Sequence, residues 1–112
     1  MNQDTELLAE VMLHSAQFCS KADALSARIS DKKELDEFRL KLGQARNIVE
    51  RLQQSYNDDR LDVSSKTVME EFRQLVIALL WVGYYVRQFS DFRLFRMLVS
   101  IEASFTYLLL KR

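Results

Sequence analysis

The sequence predicts an all-α protein, an antiparallel up-and-down bundle of four helices. Proline is absent and glycine occurs only at Gly43 and Gly83, so the chain lacks the residues that most tight turns require. Apolar residues recur at the three-to-four spacing of a helix from one end of the chain to the other. The resulting segments have similar lengths, about 20 to 27 residues, and mostly short connections, as in up-and-down bundles.

Bulk composition sets the class of protein. With 112 residues, 48% of them hydrophobic, the chain is too apolar to be disordered, and we expect a single domain over residues 1–112. The formal net charge is zero, although the segment from Arg73 to Arg112 holds six basic residues against two acidic ones, a balance of +4. A single cysteine excludes an internal disulfide, and no secretory signal is visible at the N-terminus. We therefore expect an intracellular, cytoplasmic protein.

The first helix is predicted from about Gln3 to Ile29, with Asp4 or Thr5 as its N-terminal cap. Its core face follows from apolar residues at helical spacing, namely Leu7, Val11, Phe18, Ala22, Leu25 and Ile29. Only a brief interruption at Ser30 separates it from the next segment, which favours a tight antiparallel hairpin between helices one and two.

The second helix is predicted from about Asp31 to Tyr56, where Asp31 and Glu34 have the spacing of a capping pair. Its apolar residues alternate in steps of three and four as a narrow seam typical of helix bundles: Leu35, Phe38, Leu42, Ala45, Val49, Leu52 and Tyr56. The loop 57–63 contains three acids, but their spacing does not match a calcium-binding loop, so no metal is expected there.

The third helix is predicted to begin at Ser64 or Ser65, and a cap at Ser64 would let Val63 and Val68 form a hydrophobic staple. Gly83 is expected to allow close approach of a neighbouring helix. The core face comprises Val68, Phe72, Leu75, Leu79, Val82 and Val86. The charge-free run 74–86 is 13 residues long, short of the ~20 residues that span a bilayer, so we expect no membrane span.

A second apolar face on helix three is the most informative feature of the sequence. It comprises Ile77, Trp81, Tyr84 and Tyr85, with Gln88 one turn further along. A helix at the periphery of a small bundle normally has one apolar face and one polar face. We therefore predict that these five residues form an intermolecular interface. The alternative is that helix four or a long loop covers this face within one subunit.

The fourth helix is predicted from about Asp91 to Leu110, with Phe89 and Leu94 as a staple around a cap at Ser90. No glycine or proline enforces a break before it, so helices three and four could be near-continuous from Ser64 to Leu110; we favour a break. Its core face comprises Leu94, Met97, Leu98, Ile101, Phe105, Leu108 and Leu109.

The side of helix four opposite its core face is polar. It carries Arg93, Arg96 and Tyr107, which are interpreted as a solvated surface, with an anion- or nucleic-acid-binding site as the alternative. Glu102 falls at the margin of the apolar face, where a basic partner across an interface is one interpretation.

No catalytic or cofactor chemistry is predicted. His14, the only histidine, falls at the edge of the core face beside Phe18 and lacks the additional histidines that zinc and di-iron sites use. Cys19 is expected to be a small, partly buried and unreactive thiol. Phosphate-binding loops and nucleophile elbows are absent from the sequence. We therefore expect no enzyme, no metal and no cofactor.

Together these features favour a non-enzymatic protein–protein interaction module, a self-associating bundle that forms a homodimer and binds another protein. Adaptors, immunity proteins, antitoxins and secretion chaperones include such bundles, but this is analogy of fold alone. A regulatory module that binds nucleic acid through the basic C-terminal third is the main alternative, although we expect no nucleic-acid partner. A binder of a small apolar ligand is a weaker one.

Overall fold

The computed structural model of the chain describes residues 3–62, 64–89 and 91–110. These residues form α1 (Gln3–Ala22), a 3₁₀ helix (Asp23–Arg28), α2 (Lys32–Asn57), α3 (Lys66–Gln88) and α4 (Phe92–Leu110), with no strand among them. The prediction of four helices is confirmed, and so is the break between helices three and four. Both α1 and α3 pack against α2 and α4, so α1 and α3 lie on one diagonal of the bundle.

Helix starts follow the local capping chemistry. Asp31 Oδ2 accepts a hydrogen bond from the Glu34 N–H at 3.0 Å, which confirms the predicted cap of α2. Ser65 Oγ caps α3 by accepting from the Val68 N–H at 3.4 Å, so the cap is not Ser64. The predicted staple around Ser64 uses Val63, which lies outside the described residues.

The corner before α4 is capped by Asp91, whose Oδ1 accepts from the Leu94 N–H at 3.1 Å. The predicted cap, Ser90, lies outside the described residues. Phe89 is half-buried, and the Arg28 guanidinium lies 4.6 Å from the centre of its ring. The corner therefore rests against the connection between α1 and α2.

Two details of α1 differ from the prediction. The helix already includes Gln3, so Asp4 and Thr5 lie inside its first turn and neither is the cap. The α-helix ends at Ala22 and continues to Arg28 as a 3₁₀ helix. Within this tighter helix the Ser26 hydroxyl donates to the Asp23 carbonyl at 2.7 Å, a local side-chain bond of the kind that competes with α-helical geometry.

The acidic loop after α2 uses its carboxylates to shape the turn. Arg60 contacts Asp58 at 2.8 Å, and the hydrogen bond from Gln54, followed by the contact with Arg60, lowers the pKa of Asp58. Asp59 takes a positive φ of 57°, which aspartate tolerates better than most residues. Among the described residues, no group of three or more His, Cys, Asp or Glu side chains could hold a metal ion.

The core contains three fully buried phenylalanines, Phe18, Phe38 and Phe72, from three different helices. The predicted seam of α2 is buried except for two residues: Leu35 is half-buried, and Tyr56, in the last turn, is exposed. Ile48, which was not predicted, is also part of the core. In α4 the predicted core residue Leu109 is 45% exposed, whereas Leu108 is 2% exposed, because one residue along a helix rotates the side chain by about 100° away from the core.

The buried face of α1 is broader than predicted and is rotated toward Leu8, Met12 and Cys19, while Leu7 is only half-buried. A bundle helix with two neighbours must bury a wider arc than a single seam. The buried Ser15 hydroxyl donates to the Val11 carbonyl at 2.7 Å, so it is satisfied. His14 is exposed, and its predicted packing beside Phe18 is wrong.

Two leucines of α2 give a matched test of the packing. Leu42 is buried in the core and Leu40 is 58% exposed. Leu42→Ala should lower the free energy of unfolding by about 2–5 kcal/mol, because it leaves a cavity, whereas Leu40→Ala should change it by less than about 0.5 kcal/mol. Urea unfolding followed by circular dichroism, at one protein concentration, measures both. Equal losses for the two variants would show that the faces of α2 are misassigned.

Candidate protein-interaction surface

The outward face of α3 carries large apolar side chains that the described chain leaves uncovered. Trp81 and Tyr84 are each 56% exposed, and Ile77 is 37% exposed on the same side of the helix. Leu80, which the sequence analysis did not single out, is 45% exposed beside them. The alternative that helix four or a loop covers this face within one subunit is therefore wrong for these residues. We call Ile77, Leu80, Trp81 and Tyr84 the α3 outer face.

Tyr85 does not belong to this face. It is only 6% exposed, and its ring packs edge-on against Phe38 of α2 with ring centres 5.3 Å apart. One residue along a helix rotates a side chain by about 100°, which turns Tyr85 toward α2 while Tyr84 faces outward. Burial, followed by the nearby charges of Glu37 and Glu34, raises the pKa of Tyr85. The prediction that Tyr85 points outward with Tyr84 is wrong.

Neighbouring side chains hold the exposed rings in place. The Tyr85 ring supports Tyr84 from one side in an edge contact with centres 5.3 Å apart. The Gln88 amide donates to the Tyr84 hydroxyl at 3.0 Å, so Gln88, predicted as an interface residue, positions Tyr84. The Lys41 ammonium lies 5.4 Å from the centre of the Trp81 ring. Rings held this way lose less freedom when a partner covers them.

A groove continues the apolar surface from α3 to α4. Leu80 and Tyr84 form one wall and Phe95 and Val99 the other, around a volume of about 660 Å³. Phe95 and Val99 are 39% and 47% exposed. Sequence reasoning missed both, although each is a large apolar residue outside the predicted core face of helix four, and that signal could have identified them. We call this the α3–α4 groove.

Gly83 lies at the floor of the groove. It is buried against Leu98 of α4, and a Cβ built on it would overlap Leu98 Cδ2. The predicted close approach at Gly83 is therefore confirmed. The missing side chain lets α4 lie close to α3 at this level, which sets the depth of the groove.

The residues of the alternative anion site do not come together as one site. Arg93 and Arg96 are exposed near the start of α4. Tyr107 lies eleven residues beyond Arg96, roughly 16 Å along the helix, and shares a surface pocket with acidic residues of α1, Asp4, Glu6 and Glu10. An acidic neighbourhood disfavours phosphate, so Tyr107 is not positioned to act with the two arginines.

Cys19 lies in the core of α1 and is 1% exposed, so its burial is complete rather than partial. Burial, opposed in part by the charge of Arg46, raises the pKa of the Cys19 thiol to about 11. The Arg46 guanidinium also donates to the Cys19 carbonyl at 3.4 Å and lies 4.0 Å from Asp23. A protonated, inaccessible thiol is a poor nucleophile.

None of the helices in the part of the chain that the structure describes is both long and apolar enough to cross a bilayer. Comparisons of the chain with protein-family models, curated proteins and solved structures found no match.

The raised pKa of Cys19 predicts a loss of stability at alkaline pH. Well below pH 9 the thiol is protonated in both states and contributes nothing to the pH dependence. Between about pH 9 and pH 11 the unfolded chain loses its proton first, so the free energy of unfolding falls, by about 2–3 kcal/mol for this group. Urea unfolding at pH 8 and pH 10.5 should show most of this loss in the wild type and a smaller loss in Cys19→Ala. Equal losses would contradict the assignment.

The separation of Tyr107 from the arginines predicts weak nucleic-acid binding. We expect no complex with DNA or RNA tighter than the ~10⁻⁴–10⁻⁶ M of non-specific contacts. Fluorescence anisotropy with labelled oligonucleotides at several salt concentrations measures this. A tight complex that weakens steeply with salt and is lost in Arg93→Glu, Arg96→Glu would contradict the expectation and favour a regulatory nucleic-acid-binding protein.

Proposed function

We propose that the protein is a non-enzymatic interaction module that forms a homodimer through the α3 outer face and the α3–α4 groove. The observation that carries the proposal is the exposure of Trp81 and Tyr84, each 56%, on the same side of α3. Monomeric proteins rarely leave such patches in contact with water, and exposed apolar patches of this kind mark interaction sites.

The composition of the surface supports a protein partner. Tryptophan and tyrosine are enriched at interfaces and dominate their energetic centres, because they bury much area for few rotatable bonds. The exposed residues of this surface also rest on a buried base, which includes Tyr85 and Gly83. A rigid base of this kind favours docking of preformed surfaces over folding of a disordered segment.

A second copy of the chain is the partner that this surface fits most simply. A two-fold axis lets one patch cover its own copy, and two-fold dimers are the commonest oligomers. The other faces of the bundle, including that of α1, stay accessible in the dimer. We propose that a different protein binds there.

Trp81→Arg tests the dimer. Placing a charge in the apolar surface should weaken association by about 2–4 kcal/mol, in the range of interface anchors, and yield a monomer at tens of micromolar. Arg39→Glu is the control, because Arg39 is an exposed residue of α2 outside the α3 outer face, and it should leave the dimer intact. Light scattering after size exclusion gives the masses. In the wild type, the fluorescence emission of Trp81 should shift to shorter wavelength when the dimer forms and shift back on dilution.

A wild-type chain that runs as a monomer at tens of micromolar would overturn the homodimer. Equal weakening by Trp81→Arg and Arg39→Glu would instead show that the dimer forms through another surface.

A further inference from the structure

We infer that the α3–α4 groove of one protomer receives the same groove of a second copy in antiparallel orientation, with Arg87 of each protomer paired to Glu102 of the partner subunit. This inference rests on the proposed homodimer and adds its orientation and its polar contacts.

The groove carries opposite charges at its two ends. Arg87 of α3 and Glu102 of α4 both line it. Among the described residues, neither side chain forms an ion pair or a side-chain hydrogen bond. Arg51, by contrast, pairs with Glu71 of the same subunit at 3.3 Å.

The positions of the two charges are related by symmetry. Arg87 follows Gly83 by four residues, and Glu102 follows Leu98 by four residues. Gly83 and Leu98 are in contact, so the backbones of Arg87 and Glu102 each lie roughly 6 Å along their helix from the same level of the groove. Because α3 and α4 run in opposite directions, the basic and acidic groups are displaced toward opposite ends.

The direction of the two-fold axis within the interface plane decides which of these charges meet. A two-fold axis perpendicular to the helices, through the contact between Gly83 and Leu98, reverses the groove and brings the basic end of one copy to the acidic end of the other, twice. A two-fold axis along the groove instead brings Arg87 to the partner's Arg87 and Glu102 to the partner's Glu102. Like charges across an interface cost free energy, so the antiparallel arrangement is favoured.

The apolar walls agree with the same reversal. Leu80 and Tyr84 on α3, and Phe95 and Val99 on α4, lie between the two charges. In the antiparallel arrangement Tyr84 lies within one helical turn of the partner's Leu80, and Phe95 within one turn of the partner's Val99. Apolar residues then form the centre and the ion pairs form the ends, the usual anatomy of an interface.

Charge reversal tests the pairing. The dimer dissociation constant is measured by sedimentation equilibrium for wild type, Arg87→Glu, Glu102→Arg and the double variant. Each single reversal places two pairs of like charges in the interface and should raise the constant at least ~10-fold, while the double variant should return to within ~3-fold of wild type. Arg93→Glu, on the exposed side of α4 away from the groove, is the control and should change it less than ~2-fold.

Mixing the two single variants gives a second, independent readout. The Arg87→Glu chain then carries two acidic residues at the groove, and the Glu102→Arg chain carries two basic residues. The mixture should therefore form a heterodimer with an affinity close to that of the wild-type dimer. Circular dichroism melting of each variant shows whether it is folded. If a charge reversal unfolds the chain, the variants Arg87→Cys and Glu102→Cys are mixed instead. A short bis-maleimide should then crosslink the mixture more than it crosslinks either variant alone. The buried Cys19 does not compete for the reagent.

The outcomes separate the two proposals. A dimeric wild type whose single reversals bind as tightly as it does, or whose double variant is as weak as the singles, would overturn the antiparallel pairing and leave the homodimer standing. A monomeric wild type would overturn both. Capture of a different protein's helix by the groove, with no self-association, would also overturn both.

Discussion

The architecture depends on one constraint, the excess of apolar surface on α3. A helix in a four-helix bundle has two neighbours, which together cover little more than half of its circumference. α2 and α4 cover the sides that hold Phe72, Leu79 and Tyr85, and they leave Trp81 and Tyr84 in water. The bundle therefore buries its core and still leaves one apolar side of α3 exposed to water. The α3–α4 groove lies along this uncovered side, and the homodimer that we propose covers it.

Much of the fold follows from local rules that the sequence displays directly. The seam of α2 from Phe38 to Leu52 and the cap at Asp31 require only helical periodicity and one short hydrogen bond, and both are present. Terminal turns are harder to predict, because Tyr56 continues the seam in sequence but lies where the bundle no longer covers it. Periodicity marks which side of a helix is apolar and does not show how far the neighbours extend.

Predictions failed where the outcome depended on which neighbour lies on which side. His14 and Cys19 flank the same predicted face of α1, yet one is exposed and the other fully buried. Tyr84 and Tyr85 are adjacent in sequence, and only the position of Phe38 on α2 separates an outward ring from a core ring. The pairing of Phe95 with Leu80 across a groove likewise requires knowing that α4 lies beside α3. Such information belongs to tertiary structure and leaves no periodic signal in one segment.

Gly83 links the interior of the bundle to its surface. The same missing side chain that seats Leu98 inside the subunit also sets the floor between the two walls that face outward. A larger residue at this position would push α4 away, so the spacing of the outward walls would change together with the internal packing. In the proposed dimer, affinity for the partner and stability of the subunit therefore both depend on the distance between α3 and α4. Substitutions at position 83 that change one of these properties are expected to change the other as well.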